Sequence, residues 1–421
     1  MFNIRVPLTS GTRLTDKLVI DKLISDAGGT SLTYVAGMYS DKGVLERKVV
    51  IKEYYPYEST VKLVRKGNKI IPASEDTELV ENTVSGITEN FDKEYKTTAK
   101  LAVSGDSNSV FHFNVSDITE IVTKNKSFSG TLARYLSVDT KEGSSLSAIV
   151  EKYVDLPLKT SLSLIRKILI PLKIMHKKGM LHLDLKEDNL YFPACNMDQL
   201  GLQGTYCVIL DCGSVKSVDN IDSDSYISFT KGYAAPEMMR IFNPGDPDEE
   251  ILKEYRKLIT PATDLYSVGM IAYRLIMGKD INIDDWNSIA NEDDPEEKSS
   301  MISNSIKQKL GQEYPFVCER LCGILTKLLY TMPSIDPDYP DDFVRYEKIG
   351  NKEACEILDD ELSTVIEILG NSGYHPEVLA QMSRDQYKII LQNNNIVEEE
   401  YHNIDISPFV KEWLADVECV L

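Results

Sequence analysis

The sequence predicts an α+β fold in two parts, because strand-like segments lie near the N-terminus and helical periodicity dominates the rest. Short β-branched runs occur within residues 18–36 and 48–53. Residues 161–178 carry apolar side chains at helical spacing, and residues 265–277 are apolar nearly all round, as expected of a helix through a core. Strand-rich followed by helix-rich sequence favours segregated α+β architecture over alternating βαβ units.

The individual elements follow in order along the chain. Strands are predicted on either side of a glycine turn, and a third strand, which contains Lys52, follows them. A polar stretch of 35 residues then precedes another predicted helix, and Pro171 lies inside the helix of residues 161–178, where it can introduce a kink. The predicted strands lie at 18–20, 32–36 and 48–53, and the glycine turn lies at 26–31. The polar stretch spans 56–90, and the helix after it spans 91–102.

Composition narrows the function classes. The 421 residues are 42% hydrophobic and 27% charged, which is typical of a globular chain, and the net charge is −20. So negative a surface disfavours nucleic acid and anionic membranes as partners, although a cleft can still bind a metal nucleotide or a basic peptide. The first residues lack the pattern of a secretory signal, and seven scattered cysteines indicate no disulfide framework. These features predict a cytoplasmic protein.

A polar loop at residues 182–189, with the sequence HLDLKEDN, carries the first chemical motif. Asp184 can accept a proton from a hydroxyl, and Asn189 offers an oxygen to a hard cation such as Mg²⁺. Lys186 can reach a phosphate as a point charge. Alone, such a loop would be an ordinary polar turn.

A second acidic motif follows an apolar run at residues 208–210. Asp211, before Cys212 and Gly213, is well placed to chelate Mg²⁺ that bridges the β- and γ-phosphates of a nucleotide. The sequence APE at 235–237 and the sequence DLYSVG at 264–269 come next.

Together these motifs resemble the eukaryotic-like Ser/Thr protein kinases, particularly the bacterial type, over residues 18 to 369. The resemblance implies that Lys52 binds the α- and β-phosphates, that Glu94 pairs with it, and that Asp184 is the base. Asn189 and Asp211 match the metal ligands, Asp264 matches the aspartate that holds the 182–189 loop, and Lys186 and Thr230 match the pair typical of Ser/Thr acceptors. Glu237 matches a buried glutamate, for which Arg345 is the candidate partner. Asp139 and Lys141 complete the predicted nucleotide-binding set.

The resemblance also implies a two-lobed kinase fold. An N-lobe at 18–138 would contain a small antiparallel sheet and one helix, and a helical C-lobe would span 139–369. Residues 1–17 and 370–421 are then extensions, the second of them helical. Ser407 and Pro408 have the order of a helix start, before an apolar stripe at residues 410–417.

Three features depart from the kinase pattern. Of the expected glycine loop only Gly28 survives, with Gly29 beside it, so weaker ATP affinity is predicted. Leu183 replaces the arginine that ordinarily receives an activation-loop phosphate, which predicts activity without phosphorylation of the candidate Ser and Tyr hydroxyls at 223–228. Cys212 replaces a phenylalanine; a small buried residue is favoured over a reactive thiol.

The leading hypothesis is a protein kinase that transfers the γ-phosphate of ATP, with Mg²⁺ or alternatively Mn²⁺, to Ser/Thr residues of protein substrates, basic peptides among them. The glycine loop, Leu183 and Cys212 support a second hypothesis, a pseudokinase that acts as a nucleotide-binding scaffold. The third is a non-protein phosphotransferase or an AMP-transferring enzyme of the same fold. Nothing in the sequence predicts the oligomeric state.

Overall fold

The chain forms two compact units in a computed structural model. The first unit comprises residues 1–144 and 191–213, and the second comprises residues 145–190 and 214–421. Within the described residues, no helix is long and apolar enough to cross a membrane. The described residues are 2–26, 31–74, 76, 78–83, 85–86, 89, 133–136, 144–153, 155–192, 206–221, 229–242, 249–278, 281, 283–330 and 345–371.

A four-stranded antiparallel sheet organises the first unit. Its strand order is β1-β2-β3-β6, with β1 at Leu18–Ser25, β2 at Ser31–Tyr39, β3 at Leu45–Tyr54 and β6 at Ala133–Leu136. In β2, Leu32, Tyr34 and Ala36 are buried because alternate side chains of a strand face the same side. The three strands predicted before residue 54 are thus confirmed, and each is longer than predicted.

A hairpin lies within residues 56–90, a range that was predicted only as a polar stretch. β4 at Leu63–Lys66 pairs with β5 at Lys69–Pro72. Gly67 has φ +59°, which suits a two-residue turn, and Leu63 and Ile70 are buried in the same core as β1 to β3. The sequence did not predict this hairpin because each of its strands has only two adjacent apolar residues among polar ones, which is a weak strand pattern.

The N-terminal segment packs on this sheet. Leu8 is buried in the core of the first unit, and the Asn3 side chain donates to Pro56 O at 2.9 Å and accepts from Leu63 N at 2.7 Å. Burial of an amide whose hydrogen bonds are satisfied is tolerated at little cost. Part of the predicted extension at 1–17 therefore contributes to the core.

Helices dominate the second unit, as predicted. Helix α2 (Leu158–Lys177) continues through Pro171, and α5 (Pro261–Met277) is buried on nearly every side, as its sequence predicts. Cys318 and Cys322, in α8 (Pro315–Leu328), are both buried. The helices are α1 (Leu146–Lys152), α2 (Leu158–Lys177), α3 (Pro236–Phe242), α4 (Glu249–Lys257), α5 (Pro261–Met277), α6 (Ile283–Asn291), α7 (Pro295–Leu310), α8 (Pro315–Leu328) and α9 (Ala354–Asn371).

Short strands frame the predicted motifs. The predicted 182–189 loop follows β8 (Met180–Leu181) and ends in a 3₁₀ turn at Glu187–Asn189, which leads directly into β9 (Leu190–Phe192). Asp211 comes shortly after β10 (Val208–Ile209). Taken together, the antiparallel sheet and the helices confirm the predicted α+β class. These strands are β7 (Ser144–Ser145), β8 (Met180–Leu181), β9 (Leu190–Phe192), β10 (Val208–Ile209) and β11 (Lys216–Ser217), which pairs with β8.

Candidate active site

Lys52 and Asp211 form an ion pair within the first unit. Lys52 lies near the end of β3, opposite Thr33 of β2, and its Nζ is 2.5 Å from Asp211 Oδ1. The side chains of Lys52 and Asp211 are 17% and 34% exposed. Two residues that are far apart in the sequence are therefore brought together, and their charges keep access to solvent.

The backbone at Asp211 is constrained. Its φ is +57°, and Gly213 N donates a 3.3 Å hydrogen bond to Oδ1. Positive φ is uncommon for residues other than glycine, and such strain is concentrated at functional sites. Cys212 is buried, which agrees with the preferred interpretation of that position.

Glu53, the neighbour of Lys52, anchors β3 from its other face. Its carboxylate is fully buried and bound by Arg65 through two nitrogens, at 3.0 and 2.5 Å, and the Tyr34 hydroxyl donates to Oε2 at 2.9 Å. The same hydroxyl accepts from Leu8 N at 3.0 Å. A bidentate arginine pair that is also hydrogen-bonded offsets much of the cost of burying its charges. This network holds the strand that carries Lys52.

Asp184 is the centre of a second group, which lies in the second unit. Thr230 Oγ1 donates to Asp184 Oδ1 at 2.7 Å, and Lys186 Nζ donates to Thr230 Oγ1 at 2.8 Å. Lys186 Nζ is also 3.4 Å from Asp184 Oδ2. The carboxylate therefore has one cation and one hydroxyl beside it, in the arrangement that the sequence motifs imply.

Asn189 closes the 182–189 loop. Its Nδ2 donates to Asp184 O at 2.8 Å, and Asn189 N donates to Lys186 O in the 3₁₀ turn at 3.0 Å. Because the amide donates through Nδ2, its oxygen Oδ1 lies on the opposite side of the group. That oxygen is a suitable ligand for a hard cation.

Asp264 holds the start of the same loop. Its two carboxylate oxygens accept from His182 N and Leu183 N, both at 2.8 Å, and Oδ2 is 2.8 Å from His176 Nε2. Burial alone would raise the pKa of Asp264, but the hydrogen bond from His176 and the nearby imidazoles lower it below its ordinary value. The loop-holding role predicted for Asp264 is confirmed. Leu183, with φ +65°, takes up the backbone strain directly before Asp184.

Glu237 is buried and pairs with Arg345. Arg345 Nη1 donates to both carboxylate oxygens, at 2.8 and 2.9 Å, and Thr263 Oγ1 donates to Oε1 at 2.8 Å. Their side chains are 0% and 5% exposed. The predicted partner of Glu237 is therefore confirmed, and the pair joins the start of α3 to residue 345.

Sequence reasoning missed Glu187. It is buried; the Tyr233 hydroxyl donates to its Oε2, and Arg274 Nη1 is 3.6 Å from its Oε1. Burial raises the pKa of Glu187, against the lowering effects of Tyr233 and Arg274. The sequence did contain a signal, because Glu187 is an acidic residue of the 182–189 loop to which the kinase motifs assign no role. Its partners are evident only from the fold.

Five predicted site residues lie outside the described part of the chain: Gly28, Gly29, Glu94, Asp139 and Lys141. The candidate phosphorylation sites at 223–228 and the predicted helix at 407–417 also lie outside it. Among the residues that are described, no cluster of three or more His, Cys, Asp or Glu side chains could hold a metal ion.

Comparison of the sequence with known proteins identifies the family to which the chain is similar. The protein kinase domain family matches residues 106–337, more than half of the chain. Calcium/calmodulin-dependent protein kinase type 1 of Macrobrachium nipponense is 32% identical over 147 residues, which cover 34% of this chain and 35% of that protein. Meiosis-specific serine/threonine-protein kinase mek1 of Schizosaccharomyces pombe is 25% identical over 162 residues, which cover 38% and 34%.

The matches to these relatives cover only part of each protein. The chain spans about a third of the length of the curated relatives it matches, which include calcium/calmodulin-dependent protein kinase cmkA of Emericella nidulans, 26% identical over 34% of this chain and 30% of that protein. Lys52 precedes the family match, whereas Asp184, Asn189 and Asp211 lie within it. The chain therefore belongs to the protein kinase domain family, as the resemblance to eukaryotic-like Ser/Thr kinases predicted.

Proposed function

We propose that the chain transfers the γ-phosphate of ATP to Ser or Thr hydroxyls of protein substrates. The observation that carries this proposal is the contact of Asp184 with Thr230 and Lys186 within one loop-centred group. A carboxylate so held can orient an acceptor hydroxyl and take its proton. Lys186 lies close enough to the same carboxylate to offset negative charge that develops beside it.

The chemistry of two side chains, one in each unit, supports a magnesium nucleotide as the proposed cofactor. Asp211 offers a carboxylate that is one-third exposed, and Asn189 offers an amide oxygen. Mg²⁺ in phosphoryl-transfer sites is usually held by one or two such protein groups together with the phosphates. When bound, it neutralises charge on the transferred phosphoryl group. Lys52 would hold the α- and β-phosphates, with Glu94 as its partner and the Gly28, Gly29, Asp139 and Lys141 set completing the nucleotide site.

Leu183 supports a further part of the proposal, independence from activation-loop phosphorylation. Its side chain is apolar and buried directly before Asp184, so it offers no charge to a phosphate. A phosphate on residues 223–228 would instead lie in a stretch of sequence that contains Asp219, Asp222 and Asp224, where like charges oppose it.

The proposal also covers the protein's setting. It includes Mg²⁺ as the working metal with Mn²⁺ as a substitute, basic peptides among the substrates, a cytoplasmic location, and lobes at 18–138 and 139–369 with extensions at 1–17 and 370–421. The net charge of −20 supports basic substrates, because opposite charge speeds their encounter with the protein.

The test is transfer from ATP labelled at the γ-phosphate and, separately, at the α-phosphate, to purified chain and to a peptide library. We expect γ-label on Ser and Thr, and a loss of about 10²- to 10⁴-fold for Asp184→Asn. Asp360→Asn, on the surface of α9, is the matched control and should transfer normally. Label from the α-phosphate in product would show AMP transfer, and nucleotide binding without any transfer would show a scaffold; either result contradicts the proposal.

A further inference from the structure

Glu187 joins three elements of the second unit. It lies in the 3₁₀ turn at Glu187–Asn189, Tyr233 lies in the segment after Thr230, and Arg274 lies in α5. Arg274 Nη1 is 3.6 Å from Glu187 Oε1 and donates to the Tyr233 hydroxyl at 3.2 Å. Among the described residues, Glu187 Oε1 is the buried side-chain atom that lacks a hydrogen-bond partner. The carboxylate thus pays a desolvation cost that its contacts only partly offset.

Tyr233 is held at several points in addition to its hydroxyl. Its carbonyl oxygen accepts from Ser267 Oγ at 2.8 Å, and its ring meets the Trp286 ring edge-on, with centroids 5.3 Å apart. Gly232 has φ +87°, and a Cβ there would lie 2.8 Å from Trp286 Nε1. The chain between Thr230 and Tyr233 therefore has little freedom while Tyr233 is anchored.

The segment from Thr230 to Tyr233 contains the hydroxyl that contacts Asp184. The backbone turns directly after Thr230, and in this turn Tyr233 N and Ala234 N donate to Thr230 O, at 3.1 and 3.2 Å. The position of Tyr233 is thereby linked to the position of Thr230 by backbone hydrogen bonds. The Thr230 hydroxyl in turn donates to Asp184 Oδ1 at 2.7 Å.

We propose that Glu187 is a positioning residue that latches segment 230–233 to the 182–189 loop through Tyr233 and Arg274, in place of an added phosphate. An apolar residue at position 187 would avoid the desolvation cost, so the carboxylate gives up stability for a specific contact. Leu183 provides no charged alternative. The effect on rate rests on the proposed phosphoryl transfer, whereas the latch itself is a property of the fold.

The test compares Glu187→Met and Tyr233→Phe with two matched controls. Tyr346 and Glu361 form the same type of hydroxyl–carboxylate bond at α9, so Tyr346→Phe and Glu361→Met remove equivalent chemistry elsewhere. Hydrogen exchange of the amides at 229–235, kcat, KM for ATP and Tm are measured for each. We expect faster exchange and a fall in kcat of about 10- to 100-fold for the two latch variants, since small displacements of positioning groups cost this much.

Further outcomes separate a latch from a general loss of stability. KM for ATP should stay unchanged, the double variant should be no worse than either single variant, and Glu187→Gln should retain part of kcat because it still offers Tyr233 an acceptor. In the controls Tm should fall while kcat per folded molecule stays the same. Tyr233→Phe keeps the ring against Trp286, so it remains a valid test where Glu187→Met folds poorly.

Two results would overturn the latch. One is unchanged exchange and unchanged kcat in Tyr233→Phe. The other is loss of kcat in a chain whose Ser223, Ser225, Tyr226 and Ser228 are replaced by Ala or Phe, because activity would then need a phosphate. If the wild-type chain transfers no phosphate, the proposed function fails, and exchange at 229–235 alone still decides whether Glu187 holds the segment.

Discussion

The two units hold their charged residues in different ways. In the first unit the Lys52–Asp211 pair is partly open, with side chains 17% and 34% exposed. In the second unit Glu237 and Arg345 are closed off from solvent, and a hydroxyl from Thr263 satisfies the carboxylate further. An open pair can exchange its partner for a phosphate or a metal, whereas a closed pair can only hold segments together. Exposure, rather than the presence of an ion pair, therefore separates groups available for chemistry from groups that maintain the fold.

The largest expected effect comes from breaking the closed pair. Arg345→Met leaves the Glu237 carboxylate buried without its cation, and we expect the free energy of unfolding to fall by about 3–5 kcal/mol. Urea denaturation measures this change. Glu237→Gln combined with Arg345→Met should recover part of the loss, and a double variant as unstable as Arg345→Met alone would contradict the explanation.

Breaking the open pair should affect activity instead. Lys52→Met removes a positive charge from the proposed phosphate site, and we expect kcat/KM for ATP to fall about 10²- to 10³-fold. Stability should change by less than about 1 kcal/mol, because both groups keep access to water. The exposed Lys48→Met, on the same strand, is the control. Steady-state kinetics and Tm together test this, and a large drop in Tm with normal kinetics would reverse the comparison.

A smaller effect is expected at the buried network beside Lys52. Tyr34→Phe removes a hydroxyl that donates to Glu53 and accepts from Leu8 N, so two buried groups lose a partner. We expect a loss of about 1–3 kcal/mol in stability. Hydrogen exchange should also increase at Leu8. If exchange at residue 8 stays slow, the N-terminal segment does not depend on this hydroxyl.

The smallest effect concerns Glu356 at the start of α9. Its carboxylate accepts from Glu353 N at 3.0 Å and lies 3.1 Å from Lys177 Nζ, and these contacts lower its pKa to about 2. A lowered pKa stabilises the fold above the unfolded value of 4.5, and this contribution is lost as the pH falls toward 2. Glu356→Gln should therefore cost about 1 kcal/mol at pH 7 and almost nothing near pH 2. Denaturation at the two pH values measures the loss of stability in the variant. An equal loss at both would contradict the role assigned to the Glu356 charge.

Residue type and order were enough to predict the α+β class, the three strands before residue 54, the helices at 161–178 and 265–277, and the motifs around Asp184 and Asp211. These features depend on local periodicity and on charged residues whose chemistry is evident from their identity. The hairpin at β4 and β5 could not be predicted in this way. Its burial depends on contacts with strands far away in sequence, which no local window contains.

The same distinction applies at the candidate site. Residue identities alone establish which groups are present: a lysine at 52, acids at 184 and 211, and an apolar residue at 183 where a charge is ordinarily found. The three-dimensional fold brought Lys52 into contact with Asp211, and Glu187 into contact with Tyr233 and Arg274. It did so because burial, strand register and helix packing set the distances between side chains, and the distances, not the residue types, decide which charges are open to a ligand and which are held inside.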